Sequence, residues 1–339
     1  MHHGDAVRII HHALLSLWQH GGRSGLPGVG DHHETSVGCG VIPSCVMVSN
    51  GKGGVLKTSL AANVAGLAAV SGWRVLAVDL DPQGNLATDL GVLDQSDGGQ
   101  GLLEAVTGSA PLAPLEDVRP GLDLVPGGPR TAELAGHLSR AALAGQLVHG
   151  WLERALAPVA GKYNLIVLDC PPGEALIHTL AMTAAHFVVI PTQPDVASVH
   201  GLGAVFTRLL EVRGSTNPAI EVLGVVVGPV GTQSTAIVRD TRTRLAEILG
   251  ETIPVFDPTI RLAQAAAVHC RERGLLAHEY ESAAATATPW YKLRGEKKAP
   301  AFSRAASGLA EDYHRLTEAI LAAYTARQSE LAAATVGVA

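Results

Sequence analysis

The sequence predicts an α/β fold, a doubly wound, mostly parallel sheet with helices on both faces. Short aliphatic runs recur along the chain, each bounded by Gly, Pro or Asp, and Ala-rich helical stretches separate them. The composition agrees: 47% hydrophobic residues but only 4% aromatics suit interdigitated aliphatic strands covered on both sides.

Taken in order, residues 1–43 read as a flexible N-terminal extension. They hold seven of the fifteen histidines, a short helical pattern around Val7 to Gln19 and a Gly-rich stretch. The pairs His2-His3, His11-His12 and His32-His33 lack cysteine or carboxylate partners, so solvated imidazoles are expected there and no metal site. From Ser44 to about residue 334 the chain reads as one domain. Apolar runs at Cys45–Ser49, Val75–Val78, Leu122–Val125, Leu165–Leu168, Phe187–Ile190 and Val222–Val227 predict strands. Helices are predicted at Lys57–Val70, Ala132–Leu156, Ala175–Ala184, Ser198–Val212 and Thr235–Leu249, then from Ile260 to about Glu272 and from Ser307 to about Ala332. A basic insertion is expected near residues 283–304. Strand–helix alternation implies right-handed crossovers and ligand sites at the carboxyl ends of the strands.

Composition also excludes. A formal net charge of −6 argues against a protein that binds nucleic acid by bulk charge, so any DNA contact must be regional. The four cysteines show neither CxxC pairs nor metal-ligand spacing, and no run of eighteen apolar residues exists. A cytoplasmic, non-membrane protein is expected, nucleoid-associated if DNA binding holds.

The strongest local signal is Gly51-Lys52-Gly53-Gly54-Val55-Leu56-Lys57-Thr58, followed by Ser59, between a predicted strand and a predicted helix. Glycines let backbone N–H groups turn inward around phosphate oxygens, and the helix N-terminus favours an anion. Lys57 supplies a point charge to the terminal phosphates and the Thr58 hydroxyl is placed to ligate Mg²⁺. Leu56 stands where the usual pattern has its last glycine. A leucine there requires either a compatible backbone or an altered nucleotide geometry, which sets binding apart from turnover. Two further strands end in acids: Val75 to Val78 runs into Asp79-Leu80-Asp81-Pro82-Gln83-Gly84-Asn85, and Leu165 to Leu168 into Asp169-Cys170-Pro171-Pro172-Gly173. Either Asp79 or Asp81 could approach a metal and an attacking water from that rim.

Lys-Gly-Gly-x-x-Lys-Thr, Asp-x-Asp-Pro-Gln-Gly-Asn and the Asp-x-Pro-Pro-Gly bend together resemble the ParA family of DNA-partitioning ATPases, a group with a deviant Walker A motif. The likeness extends to Ile190-Pro191-Thr192-Gln193-Pro194-Asp195 and to Pro258-Thr259-Ile260-Arg261-Leu262. The resemblance implies ATP or ADP and Mg²⁺ as ligands, and an ATP-dependent homodimer in which Lys52 reaches the partner's nucleotide. It assigns Lys52, Lys57 and Asp81 to catalysis, and Thr58, Asp81 and Asp169 to the metal. The loop from Gly51 to Ser59 holds phosphates, Gly173 senses the γ-phosphate, and Pro258 and Thr259 lie near the base. It also implies weak intrinsic ATP hydrolysis, non-specific DNA binding through Arg239, Arg242, Arg244 and Arg261, and a ParB-like partner that stimulates turnover. Membrane recruitment would need a basic amphipathic tail, which Leu331 to Ala339 lacks. Two alternatives are a nucleotide-dependent scaffold or regulator with little hydrolysis, and a positioning ATPase for cargo other than DNA.

Overall fold

The computed structural model describes residues 41–231, 234–250, 253–287 and 302–336. Nearly all of the expected N-terminal extension and most of the 283–304 segment, with its Trp290, Tyr291 and lysines, lie outside the described residues.

Seven strands form a single sheet: β1 (Ile42–Val48), β2 (Val75–Asp79), β3 (Leu115–Arg119), β4 (Leu122–Val125), β5 (Leu165–Asp169), β6 (Ala185–Thr192) and β7 (Glu221–Val227). Their spatial order is β3-β4-β2-β5-β1-β6-β7. Every pairing is parallel except β3 with β4. Among the described residues, eleven α-helices connect and cover them: α1 (Lys57–Val70), α2 (Asn85–Asp89), α3 (Gln100–Thr107), α4 (Ala132–Leu143), α5 (Trp151–Ala160), α6 (Ala175–Ala184), α7 (Val196–Arg213), α8 (Thr235–Leu249), α9 (Gln264–Arg273), α10 (Ala277–Thr286) and α11 (Ala306–Val336).

Alternation along the strands divides the core in two. Cys45 and Met47, Leu76 and Val78, and Ile166 and Leu168 point to one face, where Leu103, Leu138, Leu156, Leu180, Phe206 and Leu245 from α3 to α8 meet them. Val46 and Val48, Val75 and Ala77, and Leu165 and Val167 point to the other, under α1, α2, α9, α10 and α11. Phe187 and Phe206 are fully buried on opposite faces. Each contributes about 2 kcal/mol through burial alone. The helix leaving β1 crosses to one face and the helix leaving β5 to the other, so the winding reverses between these adjacent strands. That reversal opens a crevice at their carboxyl ends.

The six predicted strands are present and the predicted helix from Ala132 to Leu156 is two. Gly145, at φ 79°, breaks it after Leu143, and α5 starts again at Trp151. The edge strand β3 (Leu-Glu-Asp-Val-Arg) is mostly exposed and carries no apolar run. The helices α2, α3 and α10 also add to the predicted set.

Candidate nucleotide site

Four chain segments converge where β1, β2, β5 and β6 end. The phosphate-loop segment, 51–56, leaves β1 and opens α1 at Lys57. Val55 is buried beneath it, while Gly53 and Gly54 face outward. Asn50, wholly buried, anchors the loop from below: its side-chain amide donates to the Pro191 carbonyl at 2.6 Å, and its oxygen accepts the Lys52 N–H at 2.9 Å. Gln193 adds a second anchor by donating to the Gly54 carbonyl at 3.0 Å.

Leu56 adopts the left-handed conformation, φ 63° and ψ 14°, at the N-cap of α1. The backbone therefore keeps the turn a glycine would make, at a strain of roughly 1 kcal/mol. Its side chain packs on the core under α1 and lines a cleft of about 390 Å³ with Ser59, Pro229, Ile260 and Gln264. Burial of the leucine offsets the strain. Replacing Leu56 with glycine should therefore leave nucleotide affinity and turnover within about threefold of wild type, because loop shape and helix start are already those of glycine. A sharp rise in phosphate release from a near-zero baseline would identify the natural protein as a binder rather than an enzyme.

Lys57 is buried, and its amine donates to the Lys52 carbonyl at 2.8 Å. Burial pushes its pKa down, and the nearby carboxyl groups of Asp169 and Asp81 oppose that shift. Asp79 and Asp169 face each other on paired strands. Asp79 accepts the N–H groups of Asp81 at 2.9 Å and Leu86 at 3.0 Å. Burial nonetheless pushes its carboxyl up to about 7. It holds the loop, and Asp81 is the acid presented at the rim, its Oδ1 accepting the Gln83 N–H at 2.9 Å. Asp169 has no exposed surface, and neither of its oxygens has a hydrogen-bond partner among the described residues. Burial and the Asp79 carboxylate push its pKa well up, while the Thr58 hydroxyl opposes from nearby without closing a hydrogen bond. Ser49 and Thr192, at the ends of β1 and β6, also bury unpartnered hydroxyls. Orphaned oxygens beside a buried lysine and a phosphate-type loop fit a Mg²⁺–phosphate group, since Mg²⁺ keeps waters and takes few protein ligands. Among the described residues no cluster of three or more His, Cys, Asp or Glu forms an all-protein metal cage.

Lys52 does not point at Lys57. Its amine lies 3.0 and 3.1 Å from the Asp195 carboxylate, 3.2 Å from Ser198 Oγ and 3.4 Å from Gln193 Oε1. Asp195 also caps α7 by accepting the Ser198 N–H. Partial burial pushes its pKa up, but the hydrogen bonds from Lys52 and Ser198 outweigh this and hold it low. Gly173, at φ 74°, ends the turn after Asp169. That turn is tied to α6 by His178, whose Nε2 lies 2.7 Å from the Pro171 carbonyl; burial lowers the His178 pKa, so the neutral ring donates. Asn50, Ser198 and His178 carry no sequence signal of their own, since their partners are distant in the chain or are backbone groups; Asp195 closes the segment of residues 190–195, but its pairing with Lys52 is visible only in the packed chain.

Ile260 and Gln264 line the cleft beside Leu56, whereas Thr259 faces a neighbouring cleft of about 660 Å³ and Pro258 lines neither. Arg239, Arg242 and Arg261 share that second cleft. Arg242 is held by the Asp257 carboxylate at 2.9 Å and the Phe256 carbonyl at 3.0 Å. Arg261 makes a two-pronged pair with Asp312 at 2.6 and 2.8 Å. Arg239, whose side chain is 78% exposed and meets only the neighbouring exposed Asp240 at 3.5 Å among the described residues, and Arg244 face solvent, so two of the four arginines are held against the fold and two are outward-facing.

A family model described as an AAA domain matches residues 44–222. The chromosome partitioning protein ParA of Caulobacter vibrioides is 36% identical over 185 residues, 53% of this chain and 67% of the relative. The chromosome-partitioning ATPase Soj of Thermus thermophilus is 33% identical over 229 residues, 65% of this chain and 83% of the relative. Among solved structures, a cobyrinic acid a,c-diamide synthase from Mycobacterium smegmatis, with bound ATP analog and magnesium, superimposes with a TM-score of 0.57 at 29% identity. The match covers 68% of this chain and 92% of that one.

Proposed function

The chain belongs to the AAA domain family, in its ParA/Soj branch, and on that premise we propose that it is an Mg²⁺-dependent ATPase switch that dimerises around ATP and binds DNA non-specifically to move it. ATP and Mg²⁺ are its ligands, in keeping with the neighbour that holds an ATP analog and magnesium. The observation that carries the reading is the meeting of buried Lys57 with Asp81 and the orphaned Asp169 carboxylate beneath one phosphate-type loop.

In this account the N–H groups of residues 51–59 and the Lys57 amine bind the phosphates, and Thr58, Asp81 and Asp169 supply oxygens toward the metal shell. Bound Mg²⁺ supplies charge neutralisation and polarises the terminal phosphoryl group. Asp81 orients the attacking water and accepts its proton. Gly173 offers its N–H to the γ-phosphate, and the His178 anchor keeps that turn in place. Lys52 leaves Asp195 for the partner's nucleotide when two copies close, so the Lys52–Asp195 pair favours the single chain until ATP recruits a second. A ParB-like partner then stimulates hydrolysis and release.

DNA contact falls on the outward-facing arginines of α8. Co-sedimentation with linear DNA in the presence of ATP and Mg²⁺ tests this. Arg239→Ala/Arg244→Ala should weaken retention at every sequence and flatten the log-affinity against log-salt slope by about two. Retention that is strong, ATP-dependent and unaltered by the double substitution would place the DNA surface elsewhere. ATP-dependent dimers with no DNA retention would favour a cargo other than DNA.

A further inference from the structure

We propose that Arg271 is a positioning residue for turnover: it holds the short helix α2, and through it the Asp81 loop, against the phosphate-loop helix. This rests on the ATPase reading above and adds a residue that the family motifs do not contain. The helix α2 has five residues, Asn85–Asp89. That is far too few to be stable alone, so its two ends must fix its place. Its first turn is fixed by Asp79, whose carboxylate accepts the N–H groups of both Asp81 and Leu86. Any displacement of α2 is thereby passed directly to Asp81.

The other end is Asp89, a buried carboxylate shared by three elements. Its Oδ1 accepts from Arg271 Nε at 2.6 Å, and its Oδ2 from Arg271 Nη2 at 3.1 Å and from Ser59 Oγ at 3.3 Å. Ser59 follows Thr58 on α1, and Arg271 lies in the last turn of α9. One carboxylate thus ties the phosphate-loop helix, the helix after Asp81 and the helix that walls the nucleotide cleft. Two-pronged guanidinium pairing fixes orientation as well as distance.

The surrounding packing reinforces this joint. Gly91, two residues beyond Asp89, meets Gly274 at the end of α9 so closely that a Cβ on Gly274 would overlap the Gly91 Cα. Arg119 bonds the carbonyls of Leu90 and Gly274, both at 3.0 Å, and pairs with Glu279 on α10. The turn after α2 is therefore stapled to the turn after α9. Gln264, Ala267 and Arg271 of α9 line the cleft beside Leu56, and Ser59 and Asp89 line it with them. Arg271 touches no reacting group named above, yet it lines the cleft beside Leu56 and grips the helix that follows the Asp81 loop. A misplacement of about 1 Å in such a group costs on the order of 100-fold in rate.

A merely structural role would lower stability and affect binding and turnover alike. A positioning role separates them. Steady-state hydrolysis and fluorescent-ATP affinity are to be measured for Arg271→Ala, Arg271→Lys, Asp89→Asn and the Arg271→Ala/Asp89→Asn pair. Each of Arg271→Ala and Asp89→Asn is expected to lower kcat about tenfold with Kd for the nucleotide within about twofold of wild type. The pair should be little worse than either single change, and Arg271→Lys should recover part of the loss. Asp89→Asn keeps the shape of the side chain and carries the test even where Arg271→Ala does not fold. Wild-type kcat in Asp89→Asn, equal losses in kcat and affinity, or losses that multiply in the pair would overturn the proposal. If wild type hydrolyses ATP while the variants match it, this inference alone fails. If wild type releases no phosphate, it fails together with the ATPase reading.

Discussion

Replacing Lys57 with methionine is expected to weaken Mg²⁺–ATP binding by about 100-fold, on the order of 3 kcal/mol, the scale of a charge-assisted hydrogen bond lost from a partly dehydrated site. The amine is buried among Asp169, Cys170 and Asp81 without a carboxylate in hydrogen-bonding contact, and it rests on the Lys52 carbonyl. Burial already works against its charge, so the methionine protein should melt close to wild type without nucleotide. Nucleotide should then raise the melting point of wild type strongly and of the variant hardly at all. A fluorescent-ATP titration alongside thermal melts checks both halves. Unchanged affinity in a folded variant would remove Lys57 from the phosphate site.

Substituting Asp81 with alanine should separate binding from turnover. Its Oδ1 is engaged by the Gln83 N–H, and its Oδ2 takes no hydrogen bond among the described residues. It is 8% exposed, at the rim rather than under it, in contrast to Asp79, which spends both oxygens on backbone N–H groups. Loss of a positioned base lowers rate by about 100-fold or more. Nucleotide affinity should change by no more than about threefold, since Lys57 and the loop remain. Asp79→Asn serves as the contrast: it disturbs the loop through Asp81 and Leu86, and so should lower binding and turnover together. Equal turnover in Asp81→Ala and wild type would move the base role to another group.

The fold and the centre of the site were legible in the sequence because their signals are contiguous. The aliphatic runs marking β1, β2 and β5 end directly in the phosphate loop, in Asp79-Leu80-Asp81 and in Asp169, so strand and site residue are read together. The rest depends on contacts between segments far apart in the chain. Lys52 is visible as a second loop lysine, but its resting partner Asp195 lies 143 residues away. Arg271 and Asp89 are separated by 182 residues, and nothing in either neighbourhood announces the pair. The helix α2 is too short for a 3.6-residue period to register, and β3 is an exposed edge strand without alternation. Leu56 signalled a departure from the usual glycine, and the structure resolves it as a left-handed leucine held by packing. The arginine-rich stretch was legible as charge. Only the packed chain separates Arg242 and Arg261, tied to Asp257 and Asp312, from outward-facing Arg239 and Arg244.

In the proposed function Lys57, Asp81 and Asp169 form a working Mg²⁺–ATP site around the Leu56 loop. Single-turnover release of phosphate from γ-labelled ATP, with excess wild-type protein and with Mg²⁺ or EDTA, tests it most directly. Release should depend on Mg²⁺, and Asp81→Ala should lower it by about 100-fold while the label stays bound. Tight, Mg²⁺-dependent binding with wild-type release no faster than that of Asp81→Ala would contradict it.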